Sequence, residues 1–250
     1  MKPARRAMLF LLLLTATINR ATSIAIIRTD NQIVMAADSM RTYAEAGEQR
    51  TFQYCKIHVA GKLVFAVDGI ARDDKDSLDV VKTTADVLAE GGSFKANVHR
   101  IVDRLNKPLL LALRRAYQTM PSEQYAQFVP PMEPNLALGI AGVVNGVLTF
   151  AVIDFTKQDD ASGAPINVGV KVSYCPGKDC NSNYRILGFK KAANQRIGLG
   201  GFFTSDHVAD ARNIIRIEIN AAPDAVGPPI SIVTIDSKGV HWVERGVCHD

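Results

Sequence analysis

The chain has 250 residues, 47% of them apolar, which suffices for one sizeable core; four cysteines in that length rule out a small disulfide scaffold. The net charge of +4 resides in residues 1–21, where Lys2, Arg5, Arg6 and Arg20 meet no acid; the remainder balances 25 basic against 25 acidic residues. No basic run is left to track phosphates, which argues against a nucleic-acid role, and the five histidines include no i, i+4 pair of the kind that holds a metal.

Lys2, Arg5 and Arg6 precede Met8–Ile18, an apolar stretch shorter than a bilayer span and of the length of a signal h-region. Ala21 is small, as the position before a cut requires, although Asn19 departs from the small residue usual two places earlier. Residues 1–21 therefore read as a signal peptide, with the periplasm or the extracellular space as destination. Read as a propeptide alone, they leave the protein in the cytoplasm.

Thr22–Arg28 and Gln32–Ala37 are β-rich runs joined at Thr29-Asp30-Asn31, a hairpin that starts at Thr22. Lys56–Ala60 and Lys62–Val67 predict a second hairpin turning at Gly61. Asp74–Glu90, with Asp76 near its start, has a helical spacing in Leu78, Val81, Ala85 and Leu88, and Gly91-Gly92 ends it. Ser93 caps a second helix running towards Met120, which Pro108 is expected to kink or break. Pro121–Pro134 holds four prolines and reads as a loop. Leu136–Val144 and Val147–Phe155 flank Asn145-Gly146, a strong hairpin signal, and Ile166–Tyr174 and Tyr184–Phe189 are further strands.

Between those last strands, Cys175 and Cys180 flank Pro-Gly-Lys-Asp, a loop that a disulfide would staple, leaving Cys55 and Cys248 as the other pair. Four cysteines allow three pairings as well as buried thiols, and spacing does not choose among them. Gln195–Leu199 is short and apolar. Gly198, Gly200 and Gly201 lack the strand–helix–strand context of a dinucleotide loop. Ser205 or Asp206 caps a helix to Asn220, and Ile230–Ile235 with Val240–Arg245 closes the chain as a hairpin. Strands joined by short turns and helices arriving in blocks predict an α+β fold of mainly antiparallel sheets covered by helices.

The chemistry centres on Thr22 as a first residue. A threonine Oγ is a weak nucleophile until a base takes its proton, and a free α-amine, with a pKa of about 7.7–8.0, is such a base in the same residue. While Ala21 is attached that nitrogen is an amide, so removal of residues 1–21 switches the site on. Lys56 supplies the cation, Asp38 orients it, and Gly69 offers an unobstructed backbone N–H to an oxyanion. No cofactor or metal is expected.

The residues carry a resemblance. Thr22-Ser23-Ile24-Ala25 followed by Ile33-Val34-Met35-Ala36-Ala37-Asp38-Ser39 resembles the opening of proteasome β-type subunits, N-terminal-nucleophile (Ntn) hydrolases with a catalytic threonine and a first hairpin ending Ala-Ala-Asp-Ser. Lys56-Ile57 resembles the family's catalytic lysine segment, and Gly69 in Ala-Val-Asp-Gly-Ile-Ala its oxyanion glycine. Ile197–Gly201 resembles the Gly-rich turn before its third helix, and Asp224-Ala225-Val226-Gly227 the aspartate segment that supports the amino terminus. The likeness spans Thr22 to Arg245. It implies one domain over 22–250 built as a four-layer αββα sandwich of two mainly antiparallel sheets. It further implies a threonine-type endopeptidase, catalytic residues Thr22, Asp38, Lys56, Gly69 and Asp224, peptide or small amide substrates, no membrane association after processing, and a homo-oligomer. Leu199 and Gly227 stand where the family commonly has serines beside the α-amine. A small-molecule amidohydrolase or acylase on the same fold, or a non-catalytic ring subunit, are the alternatives.

Overall fold

The computed structural model describes residues 22–45, 48–73, 75, 77–130, 133–180 and 182–249. Residues 1–21, Asp74, Asp76 and Pro131 lie outside the described residues.

The chain opens with the hairpin β1 (Ser23–Arg28) and β2 (Ile33–Asp38), then β3 (Met40–Glu45) and β4 (Glu48–Gln53), then β5 (Ile57–Ala60) and β6 (Leu63–Gly69). A short ladder of β7 (Arg72–Asp73) with β8 (Leu78–Asp79) leads into the helices α1 (Val80–Ala89), α2 (Phe94–Thr119) and α3 (Ser122–Phe128). There follow β9 (Leu136–Val144), β10 (Val147–Asp159), β11 (Pro165–Cys175) and β12 (Tyr184–Gly188), the helices α4 (Lys191–Gly198) and α5 (His207–Ala221), and the closing hairpin β13 (Ile230–Asp236) and β14 (Gly239–Glu244).

Two five-stranded sheets result, ordered β12-β1-β2-β13-β14 and β11-β10-β9-β6-β5, and every pairing in them is antiparallel. This is an α+β fold. The period-2 alternation of the strands divides their side chains between faces. Ile24, Ile26, Ile33 and Met35 of the first sheet share one buried cluster with Val64, Ala66, Phe150 and Val152 of the second. The intervening Ala25, Ile27, Val34 and Ala36 pack on Ala211, Ile214 and Ile215 of α5. Phe65, Leu138, Ile153 and Phe155 pack on Val87, Ile101, Leu105 and Leu109 of α1 and α2.

Three expectations need correction. The first helix starts at Val80 and not at Asp74, because Leu78–Asp79 pairs with Arg72–Asp73, and Asp79 then caps the helix by accepting from Lys82 N–H at 2.8 Å. Of the kink or break expected at Pro108, the break does not occur, and α2 runs on through it. The lost N–H bond costs roughly 3 kcal/mol, but Ile101, Leu105, Leu109, Ala112 and Leu113 form one buried stripe across the proline and hold both halves on the second sheet. The Pro-rich loop contains α3, whose Tyr125 is anchored in the same cluster. Gln195–Leu199 is the end of helix α4, after which Gly200 and Gly201, both at positive φ, turn the chain. The hairpin β3–β4 occupies a stretch to which the sequence reading assigns no element.

The strand directions bring six strand ends to one place. The starts of β1, β5 and β13 and the ends of β2, β6 and β12 meet there, with Ser23 opposite Gly188, Ile230 opposite Asp38 and Ile57 opposite Ala66.

Candidate active site

Asp38 is the hub of this end of the molecule. Its side chain is fully buried and accepts four hydrogen bonds. Oδ1 takes Ser23 N–H at 2.8 Å and Lys56 Nζ at 2.7 Å; Oδ2 takes Met40 N–H at 3.0 Å and Gly227 N–H at 3.1 Å. The β1–β2 hairpin supplies the first contact, because a strand, a four-residue turn and a returning strand put Ser23 near the end of β2. The second comes from the other sheet, through the start of β5. Ser39 N–H donates to Gly227 O at 3.0 Å, which fastens the turn before β13 to the same spot.

Lys56 is buried, and burial holds its ammonium below the usual lysine range against the attraction of Asp38 and of Asp68. Thr22 is 7% exposed and opens β1 one residue before the amide that shares Oδ1 of Asp38 with Lys56. Its carbonyl accepts Phe189 N–H at 2.8 Å, and Ser23 Oγ donates to Phe189 O at 3.0 Å. Gly188 is at φ +72, and a Cβ there would lie 2.2 Å from Thr22 O and 3.0 Å from Asp68 Oδ1, so only glycine admits this approach.

Thr22, Asp38 and Lys56 are thus brought together. Gly69 ends β6 at φ +92, where a Cβ would stand 2.3 Å from Asn135 O; the backbone alone demands glycine at this position. Asp224 is exposed on the turn after α5 and takes no part in the hydrogen bonds of Asp38; that turn reaches the cluster through Gly227 N–H. Leu199 is 82% exposed at the end of α4. The structure places Gly188-Phe189 against Thr22, a contact that the sequence does not announce. Sequence reasoning also passed over Asp68, buried at the end of β6, although an acid closing the apolar run Val64–Val67 is a visible signal.

The cysteines pair as Cys55–Cys248 and Cys175–Cys180, with Cα separations of 4.8 and 4.9 Å. The first bridge fixes the residue before Lys56 to the segment after β14, and the second closes the loop between β11 and β12. A cavity of about 1050 Å³ opens beside the cluster; Asp68, Gly188 and Phe189 line it together with Ala137, Val152 and Asp154. Among the described residues no group of three or more His, Cys, Asp or Glu side chains could hold a metal ion.

A scan against protein-family models returned no match, and no curated protein matched the chain.

Proposed function

We propose that the chain is an N-terminal-threonine amide hydrolase, a threonine-type peptidase related to proteasome β subunits, that becomes active when residues 1–21 are removed. Its two sheets stacked between helices are then the αββα sandwich of the Ntn hydrolases. One observation carries the reading: Lys56 Nζ and the amide next to Thr22 bind the same carboxylate oxygen of Asp38. A buried lysine and a buried threonine at the start of a strand are thereby held at one point, beside a cavity of substrate size.

In this scheme the free α-amine of Thr22 takes the Oγ proton as Oγ adds to the amide carbonyl. Gly69 N–H receives the oxyanion, and the proton passes to the departing amine as the C–N bond breaks. Water, deprotonated by the same amine, then releases the acyl group from Oγ. Asp38 fixes Lys56, and Lys56 stabilises the developing negative charge and discourages protonation of the amine. The two disulfides and the leader composition support an exported enzyme.

Thr22→Ala is expected to abolish peptide-amide turnover while circular dichroism and thermal unfolding stay those of the parent. Intact mass of active protein should give a chain that begins at Thr22. Full activity in the variant, or an active chain with an extended or blocked start, overturns the mechanism.

A further inference from the structure

The cavity beside Thr22 is not electrically neutral in its arrangement. Lys171, Arg185, Lys190 and Lys191 all line it, contributed by β11, β12 and the start of α4. None of the four forms an ion pair with a carboxylate among the described residues. Three acids line the cavity as well, Asp68, Glu133 and Asp154, which against four cations leaves one positive charge in excess. Asp68 also attracts Lys56, and Asp154 lies within reach of the cavity's cations. Lys190, Lys171 and Arg185 draw the Asp154 carboxyl down, but burial outweighs them and leaves it raised.

The start of α4 breaks a local rule in the same direction. Lys190 occupies the cap position and Lys191 the first turn, no side chain caps the helix, and no acid stands in its first turn. Cations at the positive end of a helix are unfavourable. Such a conflict between local preference and fold is expected where a ligand supplies the missing negative charge. The Cys175–Cys180 bridge ties the end of β11 to the loop that leads to β12, and Gly188 at the end of β12 abuts Thr22.

We propose that this cavity selects amide substrates by negative charge, taking acidic peptides whose carboxylates face Lys171, Arg185, Lys190 and Lys191 while the scissile amide meets Thr22. The inference rests on the hydrolase reading for its chemistry but not for its binding. A focused positive potential raises both the affinity and the capture rate of an anionic ligand.

Two measurements on the purified protein test it. Calorimetry gives the binding of acetylated tetraglutamate, tetraglutamine and tetralysine, and fluorogenic amides of the same three peptides give kcat/KM. Tetraglutamate is expected to bind about tenfold more tightly than tetraglutamine and to be turned over with the same preference. That advantage should shrink at about 0.5 M salt. It should vanish in a Lys171→Glu, Lys190→Glu double variant, whose side chains are exposed, and weaken in Lys171→Gln. Equal binding of the three peptides, a preference for tetralysine, or a glutamate preference untouched by charge reversal overturns the inference. Turnover at parity among the peptides leaves the hydrolase and removes this selectivity. Charge-dependent binding with no turnover of any peptide supports the anion site and overturns the hydrolase instead.

Discussion

At the scale of single residues, the site depends on one carboxylate doing several jobs. Asp38 neutralises a buried lysine and satisfies three backbone N–H groups from three separate segments. Removing it takes from Lys56 its carboxylate partner and from the three N–H groups this acceptor, in a mostly buried place. Breaking a buried pair in this way costs about 3–5 kcal/mol, so Asp38→Ala should lower the urea midpoint markedly as well as eliminate turnover. Retention of the parent's midpoint would show that the pair contributes little to the fold. Thr22, Asp38 and Lys56 were legible because their relations are short in sequence; Ser23 and Asp38 are 15 residues apart within one hairpin. The contacts of Ser23 with Phe189, separated by 166 residues, and of Asp38 with Gly227, separated by 189, were not. No local pattern encodes which distant loop will lie against a strand end, so Gly188-Phe189 has no role in the sequence reading.

At the scale of elements, β-rich runs bounded by turn signals identify β1, β2, β9 and β10, whose side chains divide between two buried faces, and Asn145-Gly146 takes the positive φ values that its hairpin requires. Helix boundaries were less legible. The apolar spacing from Leu78 onward does not reveal that Leu78 is claimed by a two-residue ladder, and α4 lacks every start signal that marks a helix. Pro108 is the instructive case, since a local penalty yields to a continuous buried stripe. Replacing it should restore the N–H bond to Arg104 O and relieve the clash there. Pro108→Ala is therefore expected to stabilise the protein by about 1–3 kcal/mol, read as a higher midpoint in thermal and urea unfolding. A lower midpoint would mean that the proline ring itself is needed for packing on the second sheet.

At the scale of the whole molecule, the two sheets are joined by side chains in their shared cluster and by few covalent devices. The Cys55–Cys248 bridge is one, and it spans 193 residues. Closing a loop of that size restricts the unfolded chain by about 5 kcal/mol in the chain-entropy view. The paired substitutions Cys55→Ser and Cys248→Ser should therefore lower unfolding stability by up to that amount and loosen the position of Lys56, seen as a fall in kcat that exceeds any change in KM. An unchanged unfolding midpoint would assign the bridge no role in stability.

The same bridge makes almost the entire polypeptide a covalent ring. A single cut by a foreign protease anywhere between residues 55 and 248 opens the ring without releasing a fragment, so the two pieces stay tethered and the strand ends that carry Asp38 and Lys56 remain joined. Nicked protein would migrate as one species until a reductant is added, so that a cut chain keeps its sheets in register.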